Sequence, residues 1–303
     1  MSPNPDEDTK TFLQASQDIF NTMNKSMNGE SIAHTWYKNK TYREFERASG
    51  IITKNSAKHA AQARKVIEEQ TKAGTLNPDE PNLLLSLSAE KGLDFDQVAM
   101  IIDTLYVAGT DSTAKNLQTL FYNLATNPDK QEKLRQEIHD VIGHDGPVTP
   151  QAISEMTYLK ACLKESFRLH PPTVGVTMRI LPTDVVLSGY RVPSGVPVIL
   201  GNTTAGKMYF DNPQQYNPER WLRSSDGRKQ ENIPSSAVLP FGHGPRNCVG
   251  QRFAVQEIYL AASKVLQKLK IELERESWNT EFIYKVFITP KQPLKFRFTK
   301  LVG

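Results

Sequence analysis

The sequence predicts a mainly α-helical fold with small β-sheets. Three observations carry that prediction. The segment from about Asp94 to Thr126 places Val98, Ile101, Ile102, Leu105, Leu117, Leu120, Phe121 and Leu124 at helical spacing. Proline and glycine punctuate the ends of several other helix-forming stretches. Short valine-rich runs broken by turn residues are confined to the later part of the chain.

Taken in order, helices are expected over Thr11 to Asn24 and from Lys40 to about Lys72. In the second, Phe45, Ile51, Ile52, Val66 and Ile67 offer scattered apolar contacts. A polar linker, Ala73 to Pro81, follows. The long helix opens on a capping signal, Asp94 with Gln97 three residues later, and stops before Asn127-Pro128. Pro128 begins the next helix, which ends at Gly143, and residues 146 to 150 form a loop. A further helix carries Lys160 to Leu169. It should stop at His170, because a residue before proline is pushed out of the α region. Asp184 to Gly195 and Val196 to Leu200 read as short strands, Arg252 to Leu269 as a helix, and Phe282 to Thr289 and Leu294 to Phe298 as strands.

Composition narrows the classes of function. Hydrophobic residues make up 38% of 303, and no apolar run approaches the roughly 18–20 residues that span a bilayer. No transmembrane anchor is expected, so any membrane contact would be peripheral. The first ten residues are acidic and proline-bearing, unlike a signal or transit peptide. Two cysteines, Cys162 and Cys248, do not make a disulfide scaffold. The net charge of +4 suits an acidic protein partner as well as a generic solvated surface, and nothing points to nucleic acid. His139 and His144 stand five apart across a helix end, a poor spacing for a shared metal.

Three motifs carry chemistry. The first is Leu239-Pro240-Phe241-Gly242-His243-Gly244-Pro245-Arg246-Asn247-Cys248-Val249-Gly250. Gly242, Gly244 and Gly250 permit backbone conformations and close approaches that side chains would block. A helix starting near Val249 would turn its positive end toward a Cys248 thiolate. Arg246 is a fixed cation suited to a carboxylate, and Phe241 would limit water near the sulfur. The second motif pairs Glu165 with Arg168, three apart on one helical face, and the third is Ala108-Gly109-Thr110-Asp111-Ser112-Thr113 inside the long helix. Gly109 in mid-helix costs up to about 1 kcal/mol unless its small size is needed, and hydroxyls there can bond back to i−4 carbonyls and bend the helix.

The spacing Phe-x-x-Gly-x-Arg-x-Cys-x-Gly resembles the cysteine loop of the cytochrome P-450 family, the haem-thiolate monooxygenases. The resemblance implies haem b with Cys248 as axial ligand, held between an I-like helix (the Asp94 to Thr126 segment) and an L-like helix after Cys248. It implies haem contacts from Phe241, Gly242, Arg246, Gly250, Ala108 and Gly109. Arg179 occupies a place where family members often have a second propionate-binding cation, with a plain surface arginine as the alternative. Glu165 and Arg168 resemble the K helix, and Asn217-Pro218-Glu219-Arg220-Trp221 resembles the segment that supplies Arg220 to a buried Glu-Arg-Arg network. Asp111 takes the acid place of the proton-delivering pair and Ser112 the alcohol place, where most members have threonine; Thr113 is placed to share that role. The pair favours monooxygenation over peroxide isomerisation or dehydration.

The resemblance extends to subgroup and partner. Lys160 and Lys164 resemble the basic pair with which mitochondrial members dock a ferredoxin, with a flavoprotein reductase as the alternative. No nucleotide- or flavin-binding glycine pattern appears, so electrons are expected from outside the chain. The implied location is the matrix side of the mitochondrial inner membrane, with the endoplasmic reticulum as the alternative. The match covers residues 1 to 303 as one partial domain, from the family's F–G region onward, with an N-terminal portion expected to be missing. The expected activity is oxygen insertion into an apolar small molecule, sterol-like substrates included. Its rival is a truncated haem-binding or inactive fragment of such an enzyme.

Overall fold

The computed structural model describes residues 6–34, 36–75, 83–88, 90, 92–173, 178–223, 233–234 and 236–301. The chain divides into two compact units, Met1–Asp111 and Ser112–Gly303.

The first unit holds α1 (Glu7–Met27), α2 (Lys40–Ala73), α3 (Leu83–Ser88) and the first half of α4 (Phe95–Thr126). Asp6 caps α1 by accepting from the Thr9 amide at 2.7 Å, and Glu7 and Asp8 complement the dipole in its first turn. That cap carries α1 four residues before its expected start. Asn39 caps α2 on the Tyr42 amide, and Gly74 ends it in the left-handed region at φ 67°. Ala15, Ala48 and Ile52 form the small core where α1 and α2 pack, with Phe12, Ile19, Ile51 and Val107 against it. Phe45 and Val66, expected as contacts, are exposed. The capping signal of α4 is met reciprocally: Asp94 Oδ1 accepts from the Gln97 amide at 2.8 Å, and Gln97 Oε1 from the Asp94 amide at 2.9 Å.

The second unit holds the rest of α4, then α5 (Pro128–Ile142), α6 (Pro150–Glu155) and α7 (Thr157–Leu169). Next come β1 (Met178–Ile180), β2 (Val185–Leu187), β3 (Tyr190–Val192), β4 (Pro197–Ile199) and α8 (Asn202–Met208). Then follow α9 (Gln251–Lys268), β5 (Leu269–Leu273), β6 (Phe282–Tyr284), β7 (Ile288–Pro290) and β8 (Phe296–Lys300). The strands form four antiparallel pairs, β1 with β4, β2 with β3, β5 with β8 and β6 with β7. The core gathers Leu120 and Leu124 of α4, Leu134 and Ile138 of α5, Leu159 and Leu163 of α7, and Ile258 and Leu266 of α9. A buried amide clips α5 to β5: Gln131 Nε2 donates to the Ile271 carbonyl at 2.8 Å, and its Oε1 accepts from the Ile271 amide at 2.9 Å.

The expected helix stops hold. Gly143 closes α5 at φ 65°, and His170 leaves the helical region just before Pro171. Other boundaries differ from the sequence reading: α9 begins at Gln251, between the starts expected near Val249 and at Arg252; β5 begins at Leu269, where the helix was expected to end; and Phe282 to Thr289, expected as one strand run, divides into β6 and β7.

Candidate functional site

The Cys248 loop is built by backbone. Gly242 and Gly244 sit at φ 74° and 75°, where an L-residue is strained, and this folds the chain back on itself. The Gly242 amide donates to the Leu239 carbonyl at 3.1 Å, the Asn247 amide to Gly244 at 3.0 Å, and the Cys248 amide to Phe241 at 2.8 Å. The last bond closes the loop and fixes where the cysteine stands. Beyond it the Gln251 amide donates to the Cys248 carbonyl at 3.3 Å as α9 starts. Phe241 packs edge-on against Phe167 of α7, ring centroids 5.4 Å apart, which anchors the loop to the core.

The thiol side of this loop is open. Cys248 is exposed, and Val249 and Phe253, one turn apart, are 87% and 75% exposed. Arg246 is exposed and has no hydrogen-bond or ion-pair partner among the described residues. A thiol, two apolar side chains and a free cation on one short stretch fit a flat apolar macrocycle with acidic substituents and a metal at its centre. Among the described residues no group of three or more His, Cys, Asp or Glu side chains could hold a metal. A single exposed thiol such as Cys248 suits a metal that arrives with its other ligands.

The structure brings Glu165, Arg168 and Arg220 together in one network that takes in further residues. Arg168 grips Glu165 with Nε at 2.9 Å and Nη2 at 2.8 Å, and Arg220 donates from Nε at 3.1 Å. All three side chains are essentially fully buried. The Asn217 amide and Trp221 Nε1 also donate to Glu165, each at 2.9 Å. Arg168 further binds the carbonyls of Gly206, Pro213 and Gln215, so one side chain ties α7 to α8 and to the segment after it. Phe210 stacks beneath both guanidinium groups, 5.0 Å from Arg168 and 5.6 Å from Arg220. Trp221 and Phe210 were not anticipated. The signal for Trp221 was its place directly after Arg220.

In the third motif Thr110 Oγ1 bonds back to the Tyr106 carbonyl at 2.7 Å, as its mid-helix position predicts. Ala108, Gly109 and Asp111 belong to the first unit. A Cβ at Gly109 would meet no heavy atom of the described residues within 4 Å. Ser112 and Thr113 belong to the second unit. The Ser112 carbonyl accepts from Asn116 at 2.8 Å, and Thr113 Oγ1 is buried without a hydrogen bond among the described residues. Such an orphaned hydroxyl fits a place that receives water or ligand.

The remaining candidates lie on surfaces. Arg179 is exposed on β1, and its Nη1 donates to the neighbouring Met178 carbonyl. Lys160 is tied back to the Ser154 carbonyl, whereas Lys164, one turn on, is exposed with its Nζ 6.0 Å from the Trp221 ring. A second charged cluster had no sequence signal. Glu219 takes hydrogen bonds from Lys133 at 2.9 Å and Tyr158 at 3.0 Å. Burial pushes its carboxyl up, but those two donors, its own backbone and the Lys130 charge outweigh burial and bring it down to about 2.

Comparison with known proteins bears on this arrangement. The Cytochrome P450 family model matches residues 2–298. The chain belongs to the cytochrome P450 family. Members of this family use haem b with a cysteine thiolate as axial ligand, and in this P450 the matching cysteine is Cys248. A Drosophila melanogaster protein named "Probable cytochrome P450 12a5, mitochondrial" is 33% identical over 277 residues, covering 87% of this chain and 50% of its own. "Probable cytochrome P450 12e1, mitochondrial", also of Drosophila melanogaster, is 38% identical over 266 residues, 85% of this chain and 50% of its own. "Cytochrome P450 CYP12A2" of Musca domestica is 33% identical over 277 residues, 87% of this chain and 51% of its own. The chain spans about half the length of these relatives. No helix among the described residues is long and apolar enough to cross a membrane.

Proposed function

We propose that this P450 chain serves a haem-thiolate monooxygenase that inserts one oxygen atom from O2 into an apolar small molecule, sterol-like compounds included. The observation that carries the reading is the Cys248 loop, which holds an exposed thiol between a free arginine and two exposed apolar side chains. Haem b bound through Cys248 supplies the oxygen-activating chemistry. Cys248 contributes an anionic sulfur, favoured by the start of α9 three residues on. Arg246 and Arg179 supply cations for the carboxylates of the cofactor. Phe241 limits water beside the sulfur. Asp111 takes the acid place and the hydroxyls of Ser112 and Thr113 the alcohol place of a proton path.

Lys160 and Lys164 on α7 form the docking site for an acidic ferredoxin in this reading, and the word mitochondrial in the relatives' names supports a mitochondrial location, for which the reading takes the matrix side of the inner membrane. The residues 1 to 303 are taken as part of one P450 domain, since the family match runs across both units.

The test is spectroscopic. Haem is added to the chain, reduced, and exposed to carbon monoxide. The red-shifted Soret band of thiolate-ligated haem is expected from the parent and not from Cys248→Ser. Absence of the band in the parent overturns the reading. Reduction by a ferredoxin that slows with added salt, against none by a flavoprotein reductase, checks the partner.

A further inference from the structure

The second unit contains a cavity of about 410 Å³, of whose lining the haem-thiolate reading uses only Phe241 and Lys164. It lies between α7, α9 and the Cys248 loop. Its walls are apolar and aromatic: Leu163 and Phe167 of α7, Val255 of α9, and Trp221, Val238 and Phe241. Three polar ends meet it. They are Lys164 of α7 and Gln251 and Tyr259 of α9. None of these three side chains has a hydrogen-bond or ion-pair partner among the described residues; the one contact of Lys164 is the face of Trp221. The other cation on the wall, Arg220, is committed to Glu165 and to the Asp211 carbonyl. Tyr259 keeps its proton at neutral pH, since burial lifts its hydroxyl to about 12, and so it is a donor.

A hollow of this volume, apolar over most of its wall with a few unspent polar groups at its edge, has the make-up of a small-molecule site. The donors select the head group. An ammonium, a phenol and an amide N–H favour an anion over a cation, and a carboxylate can accept from any of them. The walls select the rest, an unbranched or ring-bearing hydrocarbon. We propose that this cavity binds an amphipathic organic carboxylate of the fatty-acid class, with its tail against Phe167, Trp221 and Phe241 and its head at Lys164 and Tyr259. Two of the cavity's residues, Phe241 and Gln251, are hydrogen-bonded through their backbones to Cys248 on either side. The ligand therefore packs directly behind the cysteine loop.

The 303-residue chain is titrated calorimetrically with decanoate below its micelle threshold, with decanol and decyltrimethylammonium in parallel. One saturable decanoate site is expected, tighter than decanol, with decyltrimethylammonium weakest. Lys164→Gln alters an exposed side chain and should weaken decanoate about tenfold, as loss of a charge-assisted hydrogen bond does, while leaving decanol unchanged. Val255→Trp fills the cavity and should abolish binding of both. If that variant fails to fold, the Lys164→Gln comparison alone decides. No saturable decanoate binding, equal loss of decanol and decanoate in Lys164→Gln, or no loss of either overturns the proposal.

Discussion

Glu165 shows how much of this protein rests on single side chains. Its carboxylate is fully buried and accepts from Arg168, Arg220, Trp221 and the Asn217 amide. Removing the charge while keeping the shape, in Glu165→Gln, leaves two buried guanidinium groups facing a neutral amide. Breaking one partner of a buried pair costs roughly 3–5 kcal/mol. We expect a loss of that size in urea-unfolding free energy, and a loss under about 1 kcal/mol would show that the network is not a structural keystone. Glu165 and Arg168 were legible because residues three apart on a helix share one face, whereas Arg220, 55 residues from Glu165, came only from the family resemblance of its Asn-Pro-Glu-Arg-Trp segment. The sequence did not reveal the Phe210 platform or the carbonyls that hold Arg168, since contacts across 38 to 47 residues leave no local pattern. Cys248 and its glycines were legible for the opposite reason: positive φ at Gly242 and Gly244 is a local demand, and glycine meets it.

At the level of elements, long helices were legible and short ones were not. The 32 residues of α4 give a hydrophobic period time to show, and its capping signal appears in the structure as two reciprocal bonds. Helices α3, α6 and α8 have six or seven residues, fewer than two full turns, so periodicity cannot distinguish them from loop. The junction of α9 and β5 was hidden because Leu269 stands three residues after Leu266, a helical spacing, and two before Ile271, a strand spacing. Where α7 ends, His170 joins three elements: its ring lies 6.0 Å from Tyr122 of α4 and 4.4 Å from Phe282 of β6. Its Nδ1 is buried without a hydrogen-bond partner among the described residues. Burial, with the Arg168 charge, lowers this imidazole from its ordinary 6.5 to about 4. The unfolded chain therefore binds the proton more readily. Its stabilising contribution is complete above pH 6.5 and is lost as pH falls from there toward about 4. His170→Phe keeps the ring contacts and removes the proton. The parent should lose on the order of 3 kcal/mol relative to this variant between pH 7 and 4. Parallel unfolding curves at every pH would refute the assignment.

For the whole molecule the consequence lies in two cores of unequal depth. The cluster of the first unit is Ala15, Ala48 and Ile52, in which isoleucine is the one large side chain. The second unit buries Leu120, Leu124, Leu134, Ile138, Met156, Leu159, Leu163, Ile258, Leu266 and Ile271 to under 2% exposure. Each fully buried side chain of that size stabilises by roughly 1.5–3 kcal/mol before conformational entropy is counted. The sequence could not show this inequality, because α1 and α2 have amphipathic patterns much like those of α5 and α7 and differ in the size of the residues that meet. Stability should therefore be uneven along the chain, with local opening easiest where the core is made of alanine. Native-state amide exchange resolves this directly. Amides in the middle of α7 and α9 should exchange at least roughly a hundredfold more slowly than those in the middle of α1 and α2, a gap of about 3 kcal/mol. Equal protection in all four helices would mean that the small alanine-rich core holds its helices as firmly as the large one, and that buried apolar size does not set the order of opening.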